Sequence, residues 1–190
     1  MLKASEIWQL FDPQGRPIIH GIEKETVLTQ GLLHGAAHVW LWRIDNGVTE
    51  VLLQKRAQRK PTWPDHLDIT AAGHIDEGET PLEAGLRETH EEIGLILSAT
   101  DLELIGVHRM HMAVPNSKYI ENELQWLYLA EFPGETVTHL ETVEVDSLIW
   151  KSIELFATEA IDPGLKYVPH GEAYFSIVID AIMAQSKVSN

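Results

Sequence analysis

The stretch from Gly73 to Leu95, GHIDEGETPLEAGLRETHEEIGL, carries its own start and stop signals and so limits the folds open to this chain. Thr80-Pro81-Leu82-Glu83 is a capping box with proline at the first helical position, and Gly94 supplies the stop. The spacing predicts a helix over Pro81 to Ile93. At about 100° per residue, Leu82, Gly85, Leu86, Thr89 and Ile93 fall on one flank, while Glu88, Glu91 and Glu92 share another. The first flank is to be buried and the second presents a cluster of carboxylates. Like charges this close repel each other unless something positive sits between them. With no cysteine in the chain and carboxylates in excess, oxygen ligands favour magnesium or manganese over zinc. The plain alternative is a solvated acidic face, the usual meaning of glutamate runs on exposed helices.

The positions around the helix weigh against that alternative. Gly73, five residues, Glu79, seven residues, Arg87-Glu88, two residues, Glu91-Glu92, one residue, then Gly94 and Leu95 closely resembles the signature of the Nudix hydrolases. Thr89 departs from it, standing where that family usually has a bulky aliphatic residue. The resemblance implies an α/β fold of the Nudix type, an α/β/α sandwich with a mixed β-sheet. It also implies a loop-helix-loop that binds Mg2+ or Mn2+ and helps cleave diphosphate linkages of nucleotides and other small molecules. Carried over by motif, Glu88, Glu91 and Glu92 are the principal metal ligands, and the backbone carbonyl of Gly73 is a further oxygen. Arg87 lies off the carboxylate face, within i,i+4 reach of Glu83 or Glu91, where it would hold the helix and its loop in register for catalysis.

Composition bounds the rest. At 190 residues and 44% hydrophobic, residues 1–190 suit one domain, with an N-terminal β-hairpin extension to about residue 33 and a C-terminal helix over about 171–187. A formal charge of −15 excludes a broad basic surface for nucleic acid polymers. A small anionic substrate stays open, because a bound metal and a few local cations reverse the field inside a cleft. MLKASEIWQLFD lacks the apolar core of a signal peptide, and no stretch approaches the roughly 20 apolar residues of a membrane span. The expectation is a cytoplasmic enzyme without a membrane partner.

Along the chain, Asp12-Pro13-Gln14-Gly15 reads as a turn between short strands near Glu6 to Phe11 and Arg16 to Gly21, followed by a polar helix over Lys24 to Gln30. Ala36 to Ile44 and Glu50 to Lys55 are strands joined by the hairpin turn Asp45-Asn46-Gly47. A basic loop, Arg56 to Pro64, precedes a strand over Asp68 to Ala72. Leu102 to Met110 and Glu123 to Phe132 pair as a long hairpin. Glu144 to Trp150 is the last strand, Lys151 to Ala157 a helix start, and Glu172 to Gln185 the closing helix. The segment Leu165 to His170 covers the pocket or forms a homodimer contact.

The flanks carry a narrower resemblance. His34 with His38, Gln54-Lys55-Arg56, Trp63-Pro64, Ala72-Gly73-His74 and Glu121-Asn122-Glu123 look like the layout of the isopentenyl diphosphate isomerase branch of the superfamily. By position that branch implies a metal site at His34, His74, Glu121 and Glu123, and a diphosphate grip at Arg56 and Lys60. Those six residues are the substrate-binding candidates. The branch also needs a cysteine just before Gly-His, where this chain has Ala72, and alanine neither gives nor accepts a proton. The pattern therefore points to a hydrolase acting on a small organic or nucleoside diphosphate compound, with Trp40, Trp63 and Trp126 as candidate lining for the organic moiety. The alternatives are a non-catalytic module that binds a nucleotide or partner, and the isomerase itself. The candidate for the base that activates water is Glu144, at the start of the last strand, with Glu141, the Glu121 and Glu123 pair, Glu88 and Glu91 as competitors.

Overall fold

A computed structural model describes residues 6–18, 20–60, 62–115, 117–134 and 145–188. Its central strand, β3, runs His34–Asp45, following two short strands, β1 (Ile7–Trp8) and β2 (Ile22–Glu23), and the helix α1 (Lys24–Gln30). Strand β4 (Val48–Arg56) returns through the Asn46-Gly47 turn, which makes β3 and β4 an antiparallel hairpin. Next come β5 (Leu67–Asp68), β6 (Ala71–His74) and the helix α2 (Pro81–Ile93). Strands β7 (Glu103–Ala113) and β8 (Ile120–Glu131) form the long hairpin, and β9 (Val145–Ser152), α3 (Ile153–Glu159) and α4 (Glu172–Ser186) complete the chain.

The main sheet has the order β5-β4-β3-β8-β7, with β6 also paired to β3 and β9 to β4. It is mixed, because β3 and β8 run parallel while the other pairs are antiparallel. Parallel neighbours require a crossover, and the segment between these two contains α2. Side chains alternate across the sheet. Ala37, Val39 and Leu41 of β3 join Ala84 and Ile93 of α2 in one core, whereas Trp40 and Trp42 join Phe156 of α3 and Tyr174, Val178 and Ile182 of α4 in another. The result is an α/β/α sandwich.

Helix α2 begins and ends where its caps dictate. The Thr80 hydroxyl accepts from the Glu83 amide, Glu83 reaches back to the Thr80 backbone, and Gly94 closes the last turn in the left-handed conformation at φ 71°. Thr89 is fully buried, and its hydroxyl donates to the Gly85 carbonyl at 2.7 Å, so the residue that departs from the aliphatic norm leaves no unsatisfied polar atom.

Three sequence expectations change. The single strand over Asp68 to Ala72 is two strands, because the chain leaves β4 for β3 at Thr70; the Thr70 hydroxyl accepts from the Leu41 amide at 3.0 Å and donates to the Leu52 carbonyl at 2.5 Å, bridging both neighbours. The N-terminal hairpin keeps its turn, with Asp12 accepting the Gln14 and Arg16 amides, but β1 pairs with Ile22–Glu23 instead of the segment directly after the turn. Pro17, which has no amide hydrogen, limits pairing there to an isolated bridge with Phe11. Strand β9 continues through Ser152, whose hydroxyl caps α3, so that helix starts two residues later than the pattern suggests. No helix among the described residues is long and apolar enough to cross a membrane.

Candidate functional site

On the sheet face covered by α3 and α4, the inward positions of β3 and β8 change character along the strands. Trp40, Trp42, Leu127 and Leu129 are apolar core, whereas His34, His38, Glu123 and Gln125, in phase with them, are buried and polar. Of these, His38, Glu123 and Gln125 line a cleft of about 1120 Å³.

The acidic wall of the cleft includes Glu88, Glu91 and Glu92 of α2. Arg87 organises it. The guanidinium holds Glu79 with two bonds of 2.9 and 2.8 Å, Glu88 at 2.5 Å and Glu91 at 3.3 Å, and it donates to the His74 carbonyl at 3.0 Å. Its expected partner Glu83 is instead occupied by the capping box. The three ligand candidates differ in setting. Glu91 is largely exposed, Glu88 is half-buried, and Glu92 is buried, accepting from the Ala72 amide at 3.0 Å and Gln54 at 3.4 Å. Glu92 therefore leaves the solvated flank on which the helical phase put it and ties α2 to β6. Gly73 is required by packing, since a β-carbon there would overlap the carboxylate of Glu88.

Pairing registers assemble a second acidic group. His34 lies opposite Glu123 in the parallel β3/β8 ladder, His74 opposite Ala36 across β6, and Glu121 two residues before Glu123 on the same face. Ligand atoms of His34, His74, Glu121 and Glu123 lie within 4.8 Å of one another, the one such group of histidine and acidic residues among the described residues. His34 Nε2 is 3.7 Å from Glu121 and 3.5 Å from Glu123, and His74 Nε2 is 3.2 Å from Glu123. His34 Nε2 and one Glu121 oxygen are buried without a hydrogen-bond partner. Burial pushes the His34 imidazole down, but the carboxylates of Glu121 and Glu123 outweigh it and raise its pKa to about 9. Burial pushes the Glu123 carboxyl up, and the two imidazoles hold it well below its usual range. Trp8 of β1 covers the group, its ring stacked on His74 with centroids 3.6 Å apart.

Cationic side chains line the same cleft. Arg56 and Lys60 line the cleft, whereas Lys55 of the same basic cluster turns to Asp65 at 2.8 Å and Arg59 borders a separate depression. Arg56 pairs with Asp68 at 2.8 Å and donates to the Thr62 carbonyl. Asp68 also meets His170 Nε2 at 2.9 Å, and His38 Nδ1 lies 2.8 Å from the Tyr174 hydroxyl. Burial, and then the neighbouring His170, push the His38 imidazole down to about 3.

Of the tryptophans considered for the lining, Trp63 borders the cleft, while Trp40 and Trp126 are core residues packed against Tyr174 and Phe11. Trp8 is the tryptophan missed. Asp68 and His170 are also new to the site. His170 belongs to the Leu165 to His170 segment, which borders the cleft through Val168, Pro169 and His170. Glu141 and Glu144 lie outside the described residues.

The family model described as NUDIX domain matches residues 33–170. Over 142 residues the chain is 33% identical to Nudix hydrolase 3 of Arabidopsis thaliana, an alignment that covers 75% of this chain but only 16% of that protein. It is 31% identical over 156 residues to an isopentenyl-diphosphate Delta-isomerase of Paenarthrobacter aurescens, covering 82% of this chain and 81% of that protein. A solved structure from Deinococcus radiodurans superposes with a TM-score of 0.63 at 15% identity, over 91% of this chain and 98% of that one, a likeness of fold.

Proposed function

Because this chain belongs to the Nudix family, whose domain spans residues 33–170, we propose that it is a divalent-metal-dependent hydrolase that cleaves the diphosphate linkage of a small organic or nucleoside diphosphate compound. The observation that carries this reading is one cleft lined both by carboxylates of α2 and by Arg56 and Lys60.

The donor set fits magnesium or manganese. Glu88, Glu91 and Glu92 with the Gly73 carbonyl supply oxygen alone, and Gly73 leaves the space against Glu88 that a side chain would fill. His34, His74, Glu121 and Glu123, with two orphaned buried atoms among them, are a second set suited to a cation. Held by these residues, a divalent ion would supply charge to offset that on the phosphoryl oxygens and would lower the pKa of a water. The protein's own groups do the rest. Arg56 and Lys60 hold the diphosphate, Arg87 keeps Glu88 and Glu91 in place, and a carboxylate takes the proton of the attacking water. Glu144, Glu121, Glu123, Glu88 and Glu91 are the candidates for that proton.

The isomerase relative raises a second activity, and Ala72 weighs against it. Its methyl group lies directly opposite His38 in the β3/β6 register, where no thiol is present to protonate an alkene. Incubation with isopentenyl diphosphate is expected to yield no allylic isomer.

A phosphate-release screen over diphosphate compounds with Mg2+ or Mn2+ tests the hydrolase reading. Glu91→Gln and Glu92→Gln are expected to reduce turnover by roughly 10²-fold or more. Absence of turnover with every compound, together with metal-independent ligand binding, would overturn it in favour of a binding module.

A further inference from the structure

We propose that Gln125 is a positioning residue: it engages one oxygen of Glu123, so that Glu123 meets a cation held with His34, His74 and Glu121 through its other oxygen alone; this rests on the metal-dependent reading above. Gln125 is fully buried on β8, in phase with the core residues Leu127 and Leu129, where the core gives way to the cleft. Burying an amide at such a position is unfavourable unless its hydrogen bonds are made. Those of Gln125 are made, and one of them goes to a cation-ligand candidate.

The partners fix which way the amide points. A carboxylate accepts, so the edge of Gln125 that faces Glu123 is the NH2 group: Nε2 donates to Glu123 Oε2 at 2.9 Å and also to Met110 Sδ at 3.7 Å. The carbonyl edge is then left for His108, and Oε1 accepts from His108 Nδ1 at 3.0 Å, which puts a proton on that ring nitrogen. Strand register sets up both contacts, since His108 lies opposite Gln125 and Met110 opposite Glu123 in the β7/β8 ladder. The His108 ring in turn stands edge-on to Tyr174 of α4, with centroids 5.5 Å apart.

The consequence falls on Glu123. Its Oε2 is engaged by Gln125, while its Oε1 lies 3.2 Å from His74 Nε2 and 3.5 Å from His34 Nε2. Glu121 likewise turns one oxygen, Oε2, toward His34 Nε2 at 3.7 Å, and both of those atoms are buried without a hydrogen-bond partner. Two imidazole nitrogens and two carboxylate oxygens therefore converge, one atom from each residue. Ca2+ takes about six to eight oxygen ligands and commonly both oxygens of a carboxylate. A set limited to one atom per side chain, half of it nitrogen, disfavours Ca2+ relative to Mn2+. Gln125 keeps Glu123 within that limit, and His108 acts by holding the amide. Hydrogen bonds of this kind to a ligating carboxylate typically change metal affinity by about 10- to 100-fold.

Calorimetric titration with Mn2+ and with Ca2+ is the test, the class of site lost in Glu121→Gln being the one the histidine cluster holds. Gln125→Met keeps the length of the side chain, removes the amide protons and frees Glu123 to turn both oxygens to the ion. It is expected to weaken Mn2+ at that class by roughly 10-fold or more while Ca2+ weakens less, so that the ratio of Ca2+ to Mn2+ affinity rises. The Mn2+ electron paramagnetic resonance spectrum is expected to change with it. His108→Leu is expected to move the ratio the same way to a smaller degree, and the double variant no further than Gln125→Met, because His108 acts through the amide. Melting curves without metal show which variants are folded, and if Gln125→Met is not, His108→Leu decides by the same ratio. Native affinities and ratio, equal losses for both ions, or losses that add in the double variant overturn the assignment. If Glu121→Gln removes no Mn2+ site the assignment also fails, while metal-dependent turnover would leave the hydrolase reading standing on the α2 carboxylates. A chain that shows the expected ratios yet hydrolyses no diphosphate compound keeps the assignment and overturns the hydrolase reading.

Discussion

Gly73 and Glu88 occupy space that one β-carbon would close, so position 73 is a direct probe of how tightly the acidic wall is built. Gly73→Ala is expected to displace the Glu88 carboxylate, and Arg87 with it, costing roughly 1–3 kcal/mol of stability and more than tenfold in turnover. Thermal denaturation beside a kinetic assay checks both. His38 makes a prediction about acid. Its folded pKa lies near 3, below the usual 6.5, so the unfolded chain binds a proton first as pH falls. The stability it contributes is complete above pH 6.5 and is lost progressively down to about 3, at a slope of at most roughly 1.4 kcal/mol per pH unit. Asp68, also depressed, adds loss in the same direction below its usual 3.8. Urea midpoints measured without metal are expected to fall between pH 6.5 and 4 in the native chain, and His38→Gln is expected to flatten that fall. A slope that the variant leaves unchanged would show that other groups carry it.

Elements whose signals are local were legible and those set by distant partners were not. Helix α2 has its cap, proline and terminal glycine within its own residues, and the structure ends it at the expected positions, Pro81–Ile93. The β3/β4 turn and the β7/β8 hairpin are likewise announced by their neighbours in sequence. By contrast, the break between β5 and β6 depends on which strands flank Thr70, and no periodicity within Asp68 to Ala72 encodes that. Thr70→Val keeps the shape and removes the hydroxyl that bridges Leu41 and Leu52. It is expected to cost about 1–3 kcal/mol, read from the denaturant midpoint, with the larger part from the unpaired Leu41 amide. Little loss would mean that the two strands switch partners without the hydroxyl's help.

At the scale of the molecule, the cleft is a consequence of sheet order. The parallel pairing of β3 and β8 sets His34 beside Glu123, and β6, paired to the same strand, brings His74 to them. His34, His74, Glu121 and Glu123 were named from a resemblance, and the structure gathers them; Asp68 and His170 escaped because they lie about a hundred residues apart and carry no motif. A chain with a formal charge of −15 also places several carboxylates at the mouth of a cleft proposed to take a diphosphate. A cation that binds the assembled carboxylates and not the unfolded chain would stabilise the folded cleft by mass action. Mn2+ in large excess over its dissociation constant is expected to raise the melting temperature by several degrees, an effect of about 2–3 kcal/mol at 100-fold excess, and a chelator to reverse it and stop turnover. The two acidic groups are separable. Glu91 is exposed and Glu121 belongs to the histidine cluster, so Glu91→Gln and Glu121→Gln each remove one donor from a different group. If both groups hold metal, calorimetric titration of each variant is expected to lose or weaken one class of Mn2+ site, and the double variant both. A native chain that binds a single ion, unaffected by Glu121→Gln, would confine the metal to the α2 carboxylates.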